Sequence, residues 1–206
     1  MHIVVRESRD LDEAAAPRDL GLAPADIVFL SFSDSDLAMA AAAYQRLEAD
    51  GTSLRIANLN ALRHPMSVDL FAETTLKGTK SVVVRLLGGL DYWRYGAEQL
   101  GRRCRDLGIS LAIVPGDGRP DIRLSTLSTF EPHDLARLEA LLDAGGVDNT
   151  FTALRAALGV RSEDNEVPSP RDVPNFGVYR ERAVDESDIG AAAVIFYRSH
   201  LLAGDV

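Results

Sequence analysis

Ser81-Val-Val-Val-Arg-Leu-Leu87 is nearly continuously apolar. This pattern is typical of a strand that is covered on both faces, as in parallel sheets with helices on either side. Asp26-Ile-Val-Phe-Leu-Ser31 has the same character, and further strand candidates lie at residues 3–6, 54–59 and 110–115. These segments predict the strands of a sheet whose core is buried from both sides.

Helical patterns separate the strand candidates. Residues 36–49 carry apolar side chains at helical spacing, with a Ser33-x-x-Asp start and a glycine stop at Gly51. A second stripe consists of Trp93, Ala97, Leu100, Cys104 and Leu107, and further helices are predicted at 133–144 and about 149–158. Because strands and helices alternate, we predict an α/β fold with a mostly parallel sheet of about five strands and flanking helices.

The composition of the chain changes after the last of these helices. Residues 160–175 contain three prolines and several acidic side chains, which predicts a linker between an amino-terminal α/β domain at 1–159 and the beginning of a second unit at 176–206. A strand is predicted at 191–197. Since a lone strand has nothing to bury against, we expect the sequence to be a piece of a longer protein.

The overall charge argues against some classes of partner. The chain has 206 residues, 31 of them acidic and 22 basic, for a net charge of −9. Both nucleic acid and an anionic membrane surface would repel such a protein. The single cysteine, Cys104, cannot form an internal disulfide, and residues 1–10 do not resemble a signal peptide. These features fit a reducing, intracellular compartment, and the family resemblance given below implies the cytoplasm.

Two strand ends are candidate ligand sites, because ligands of parallel α/β sheets lie beyond the carboxyl ends of the strands. The first is Ser31-Phe-Ser-Asp-Ser-Asp36, whose polar side chains would either bind a ligand or cap the next helix. The second is Arg85-Leu-Leu-Gly-Gly-Leu-Asp-Tyr-Trp93. Here Arg85 would bind a carboxylate, Gly88 and Gly89 would allow close approach, and Tyr92 and Trp93 would stack on a flat ring. The alternative is a tight turn with Trp93 in the core.

Other candidates are weaker. His64 stands before Pro65, so it is either a ligand or a residue at a helix start. Pro115-Gly-Asp-Gly-Arg-Pro-Asp121 has the composition of a plain turn rather than of a metal loop. Arg198 and His200 follow the last strand candidate, where half of any crevice would come from elsewhere. No catalytic residue and no metal ligand is predicted.

Several segments, taken in order, resemble the amino-terminal part of the large subunit of cobaltochelatase. They are Pro24-Ala-Asp-Ile-Val-Phe-Leu-Ser31 with residues 34–37, His64-Pro-Met-Ser-Val-Asp-Leu70, Val83-Val-Arg-Leu-Leu-Gly-Gly89 with Tyr92-Trp93 and Tyr95-Gly96, Pro115-Gly-Asp117 with Pro120-Asp121, and Phe196-Tyr-Arg-Ser-His200. The related magnesium chelatase large subunit is the family most easily confused with it, and a nickel relative is also open.

The resemblance implies a role in the aerobic route to cobalamin. In that family the large subunit binds hydrogenobyrinic acid a,c-diamide, a corrin precursor, and cobalt, while two AAA+-related partner subunits hydrolyse ATP. The metal-inserting centre is expected outside this segment. The resemblance therefore implies a non-catalytic domain that holds no cofactor of its own and whose partners are the remainder of the subunit, the two ATPase subunits and the corrin.

Three hypotheses follow. In the first, the chain is a head domain that covers the tetrapyrrole cleft or docks other domains, with candidate surface residues His64, Gly88, Gly89, Tyr92, Trp93 and Arg198. In the second, it is an independent small-molecule binder that uses the two strand ends. In the third, it is an interaction module without a ligand.

Overall fold

The sheet is built from four parallel strands. A computed structural model describes residues 16–174, 176–178 and 194–203. Strands β1 (Ile27–Ser31), β2 (Leu54–Asn58), β3 (Ser81–Leu86) and β4 (Ser110–Pro115) pair in the order β2-β1-β3-β4. From β1 the chain crosses to β2 at one edge of the sheet. It then returns past β1 to β3 and continues to β4 at the other edge, so the topological switch point lies between β1 and β3.

Both faces of the sheet are covered, as the apolar runs predict. Every residue of β1 and β3 is buried. Successive side chains of β1 enter opposite layers: Val28 and Leu30 belong to one apolar cluster, and Ile27 and Phe29 to the other. The predicted α/β class is therefore confirmed.

Helices fill the two layers. The described residues contain α1 (Asp34–Ala49), α2 (Pro65–Thr74), α3 (Arg94–Leu107), α4 (Ile122–Leu127), α5 (Pro132–Ala144), α6 (Val147–Ala157) and α7 (Arg198–Ala203), with 3-10 turns at Leu59–Leu62 and Leu90–Tyr92. Helices α2 and α3 pack on one face of the sheet, and α1, α5 and α6 on the other. This division follows from right-handed crossovers in opposite directions from the switch point.

The outer edge of β4 is closed by the residues that follow α4. Thr129 accepts from the N–H of Leu111 and donates its own N–H to the Leu111 carbonyl, at 2.7 and 2.8 Å. The hydroxyl of Ser128 accepts from the N–H of Ile113 at 2.9 Å. Alternate N–H groups of β4 face this edge, and after Leu111 and Ile113 the next such residue is Pro115, which has no N–H. The edge donors of β4 are thus paired or missing.

Two predictions change at the ends of the chain. Residues 191–197 were predicted as a strand, but 194–197 have no regular secondary structure, and Val194, Ile195 and Tyr197 are exposed. The prediction is wrong there because no described strand lies beside this segment to pair with it. The strand candidate at 3–6 lies outside the described residues. The sheet therefore has four described strands rather than about five.

Residues 160–174 have no helix or strand, yet they pack on α5 and α6. Val167 is buried in the same apolar layer as those helices. Arg161 Nη2 lies 2.7 Å from Asp134 Oδ2, and the side-chain amide of Asn149 donates to the carbonyl of Arg171 at 2.9 Å. The boundaries predicted at 159/160 and 175/176 stay a prediction.

Among the described helices, none combines the length and the apolar character that a membrane span requires.

Candidate functional site at the carboxyl edge of the sheet

The carboxyl ends of three neighbouring strands bring Phe32, Arg63 and Tyr92 together. Phe32 follows β1, Arg63 follows the turn after β2, and Tyr92 lies in the turn after β3. The rings of Phe32 and Tyr92 meet edge to face, with centroids 5.0 Å apart and planes at 74°. The Arg63 guanidinium carbon lies 5.6 Å from the Phe32 centroid and 5.1 Å from the Tyr92 centroid. We call these three residues the aromatic–arginine cluster.

The cluster is open to solvent. Tyr92 is 53% exposed, Arg63 is exposed and Phe32 is half-buried. Arg63 donates from Nη2 to the Tyr92 hydroxyl at 2.5 Å and from Nε to Asn60 Oδ1 at 3.1 Å. Among the described residues it forms no ion pair. The edge therefore presents a cation on an aromatic platform, and within the described ranges no carboxylate lies at ion-pair distance from it.

The Gly88-Gly89 turn is occupied by carboxylates of the chain itself. Both glycines have positive φ, at 78° and 72°. Asp117 Oδ2 accepts from the N–H of Gly88 at 3.3 Å, and Asp121 Oδ2 accepts from the N–H of Leu90 at 3.0 Å. A Cβ at Gly89 would lie 3.0 Å from Asp121 Oδ2. The close approach that these glycines allow thus brings in the loop after β4, whose carboxylates accept from two of the N–H groups that could otherwise hold an anion, those of Gly88 and Leu90.

Asp121 also anchors an ion network. It caps α4 by accepting from the N–H of Arg123, and its Oδ2 lies 2.8 Å from Arg123 Nη2. Hydrogen bonds from the Arg123 side chain, and next from the Leu90 N–H, hold the pKa of the Asp121 carboxyl well below its usual range. Arg123 also contacts Asp91, which pairs with Arg94. This network fixes the loops after β3 and β4 to each other.

Trp93 belongs to the core rather than to the surface. It is 5% exposed, and its indole Nε1 donates to the carbonyl of Leu62 at 2.8 Å. The interpretation of Trp93 as a stacking surface is therefore wrong, because the ring starts the buried stripe of α3. Its neighbour Tyr92 points to solvent instead.

His64 caps α2. Its Nδ1 accepts from the N–H of Met66 at 3.1 Å, and Pro65 occupies the first turn. The structure thus gives His64 the helix-start role that the sequence left as an alternative. Among the described residues, no group of three or more His, Cys, Asp or Glu side chains is arranged to hold a metal ion.

Arg85 is buried on β3 and faces α5 rather than the open edge. Its guanidinium donates to the carbonyl of Leu142 and, at 2.8 Å, to Asp143 Oδ1, while Nε lies 3.6 Å from Asp36 Oδ2. Burial raises the pKa of the Asp143 carboxyl, and the Arg85 charge opposes that shift. Since Arg85 is only 5% exposed, the prediction that it binds an external carboxylate is wrong in this structure.

The Ser31–Asp36 corner is likewise internally paired. Ser31 Oγ donates to Asp36 Oδ2 at 2.8 Å, and Ser33 Oγ caps α1 by accepting from the N–H of Asp36 at 3.3 Å. Asp34 accepts from the side-chain amide of Asn58 at 2.8 Å. The helix amino terminus already carries two carboxylates, which disfavours an anionic ligand there.

Arg198 and His200 lie on α7, away from the cluster. Arg198 Nη2 donates to the carbonyls of Ala144 and Val173, at 3.2 and 3.0 Å. It therefore ties α7 to the end of α5 and to the segment after α6. His200 is exposed on the same helix. Neither residue is brought to the edge that holds Tyr92.

Two pockets lie elsewhere and were not predicted from the sequence. One, of about 280 Å³, opens between α2 and α3 and is lined by charged residues that include Asp69, Arg102 and Arg103. The other, of about 220 Å³, lies beside Phe151 and Pro168. Arg63 and Phe32 were also not singled out from the sequence. The sequence signal for them was weak: Phe32 directly follows the strand candidate at 26–31, and Arg63 lies a few residues beyond the candidate at 54–59.

Comparison with known proteins gives a consistent result. No protein-family model matches the chain. An aerobic cobaltochelatase subunit CobN from a Sinorhizobium species is 40% identical over 172 residues, or 82% of this chain. The CobN subunit of Pseudomonas aeruginosa is 34% identical over 197 residues, or 90% of this chain. The chain is homologous to a segment of a cobaltochelatase subunit. The resemblance predicted from the ordered sequence motifs is therefore confirmed.

A solved structure supports the same relationship to cobaltochelatase. The catalytic subunit of cobaltochelatase from Mycobacterium tuberculosis superposes with a TM-score of 0.63 and 26% identity over 87% of this chain. The chain spans only 13% and 16% of the two CobN relatives and 14% of the solved subunit. Its relatives thus belong to a metal-inserting enzyme of which this chain matches a small part.

Proposed function

We propose that this chain is a non-catalytic head domain of a cobaltochelatase large subunit, at the amino-terminal end of that subunit. The observation that carries the proposal is the match to two CobN relatives along most of the chain. The internal pairing of Arg85, of the Gly88-Gly89 turn and of the Ser31–Asp36 corner supports a structural rather than a chemical contribution.

In the proposed setting the whole subunit binds hydrogenobyrinic acid a,c-diamide and inserts cobalt, which is a substrate here. Two AAA+-related subunits hydrolyse ATP in the cytoplasm. The head domain docks on the remainder of the subunit or covers its tetrapyrrole cleft. The independent small-ligand hypothesis has less support, because the main polar groups at both strand ends, which are the Ser31–Asp36 pair, the Arg85 Nη2 group and the N–H groups of Gly88 and Leu90, already have partners in the chain.

The test is a chimera of the Sinorhizobium CobN subunit in which this chain replaces the matching segment. We expect the chimera, combined with the two ATPase subunits, to insert Co²⁺ into the corrin diamide, whereas a subunit that lacks the segment should lose most of that activity. Mg²⁺ as the offered metal distinguishes a magnesium-chelatase-type protein. An inactive chimera that is folded and binds its partner subunits would overturn the proposal.

A titration of the chain alone with the corrin diamide separates the two forms of the head-domain role. Trp93 is the single tryptophan, and the corrin absorbs where tryptophan emits, so a bound corrin would quench the buried indole by energy transfer. Saturable quenching at micromolar corrin supports a tetrapyrrole-covering role. An unchanged emission supports docking without contact to the corrin.

A further inference from the structure

We infer that the aromatic–arginine cluster (Phe32, Arg63 and Tyr92) is the docking hot spot by which this domain binds a carboxylate-bearing segment of the remainder of its subunit. The inference rests on the proposed function for the identity of the partner. The surface itself follows from the arrangement of three side chains at the switch point of the sheet.

The composition of the cluster is that of a protein-binding hot spot. Such hot spots are enriched in tyrosine and arginine and lie where both can be desolvated by the partner. Tyr92 is 53% exposed, although its edge-to-face contact with Phe32 already fixes the ring. A preordered aromatic side chain loses little conformational entropy on binding, so its apolar area is available for association.

Charge complementarity specifies the partner. Arg63 is held in place by Tyr92 and Asn60 but forms no ion pair among the described residues. Both of these hydrogen-bond partners of Arg63 are neutral, whereas arginines such as Arg85, Arg123 and Arg161 lie against carboxylates of the chain. The planar guanidinium of Arg63 therefore retains donors that match an aspartate or glutamate carboxylate.

The shape of the edge favours a protein segment over a small molecule. Small ligands bind in concave sites with a few free polar groups that fix their orientation. At this edge the N–H groups of Gly88 and Leu90 are occupied by Asp117 and Asp121, and Tyr92 projects outward. A partner that covers a projecting surface fits this geometry.

The experiment measures amide hydrogen exchange of residues 59–66 and 88–95 in the chimeric subunit and in the chain alone. We expect exchange in these peptides to slow at least about tenfold in the subunit, because the partner would bury them. Arg63→Glu should return exchange to the rate of the chain alone. Arg119→Glu, a charge reversal at an exposed arginine of the neighbouring loop, should leave the protection intact.

Equal exchange rates in the subunit and in the chain alone would overturn the inference, and so would protection that survives Arg63→Glu. Urea unfolding of the Arg63→Glu chain establishes that the variant is folded. Cobalt insertion by the same chimera reports on the proposed function separately. An active chimera without protection defeats the docking face alone, whereas a protected but inactive chimera defeats the proposed function alone.

Discussion

Gly96 lies against the indole ring of Trp93, and a Cβ built at Gly96 would be only 2.1 Å from Trp93 Cε2. The ring cannot simply move away, because its Nε1 donates to the Leu62 carbonyl and its edge is buried in the core. We therefore expect Gly96→Ala to destabilise the fold by about 1–3 kcal/mol, the usual cost of overpacking a core. Urea unfolding followed by Trp93 fluorescence measures this change.

Gly101 provides the matched control in the same helix. A Cβ there would lie 3.4 Å from the nearest heavy atom, the carbonyl oxygen of Leu127. Gly101→Ala should be neutral or should stabilise the protein by up to about 1 kcal/mol through helix propensity. Equal stability of the two variants would contradict the packing argument for Gly96.

The buried guanidinium of Arg85 is predicted to be the most costly arginine to remove. Arg85→Ala leaves the carboxylate of Asp36, which is 7% exposed, without its cation and the Leu142 carbonyl without its donor. We expect a loss of about 3–5 kcal/mol in the free energy of unfolding, as for other broken buried pairs. Arg46→Ala, which removes an exposed pair with Asp148, should cost about 1 kcal/mol or less. A comparable loss in both variants would contradict this prediction.

Asp26 gives the fold a specific acid sensitivity. Hydrogen bonds from Lys80, then from the hydroxyl and N–H of Ser53, hold the pKa of the Asp26 carboxyl well below its usual range. A depressed pKa in the folded state stabilises the fold above the unfolded pKa of about 4, and this contribution is lost as the pH falls further. Asp26→Asn should therefore be less stable than the native chain at pH 6, with a difference that shrinks below pH of about 4. Urea unfolding across this range is the measurement.

The exposed carboxylate of Asp164 supplies the comparison for that pH series. Asp164→Asn should follow the native stability curve at every pH. If the stability of Asp26→Asn also runs parallel to the native curve as the pH falls below about 4, the hydrogen bonds of Asp26 do not contribute the expected stability.

Cys104 should report on unfolding through its reactivity. Burial raises the pKa of its thiol to about 12, so in the folded state the sulfur is protonated and a reagent cannot reach it. We expect an aromatic disulfide reagent at pH 8 to label Cys104 only as fast as the protein unfolds. A second cysteine at an exposed helical site, Ala41→Cys, should react at once. Prompt labelling of the native chain would show that α3 opens locally.

The sequence predicted the core of this fold well, since long apolar runs and helical stripes are themselves the burial pattern. Strands β1, β3 and β4 and helix α1 lie within about two residues of their predicted bounds. Helix α4 was not predicted, because its six residues include an exposed Ile122 and carry too short a period to recognise. The strand prediction was wrong at residues 194–197, because an apolar run indicates burial but does not identify the element that would bury it.

The candidate site was less predictable, for a physical reason. Sequence identifies which side chains can donate or accept, but not which of them are already paired. Asp117 and Asp121 were interpreted as turn residues, yet they occupy the N–H groups of the turn after β3. Arg63 could not be predicted as a site residue, because its place beside Phe32 and Tyr92 depends on the order of three strands, which only the structure supplies.

The closed edge of β4 prevents another chain from adding a strand to the sheet on that side. An exposed strand edge is a template for intermolecular pairing, whether productive or as the start of amyloid-like association. Ser128 and Thr129 occupy that template on β4, and Pro115 interrupts it. Within the described sheet the other edge strand is β2, so a strand added to these four strands, by a neighbouring domain or in misassembly, would be directed there rather than to β4.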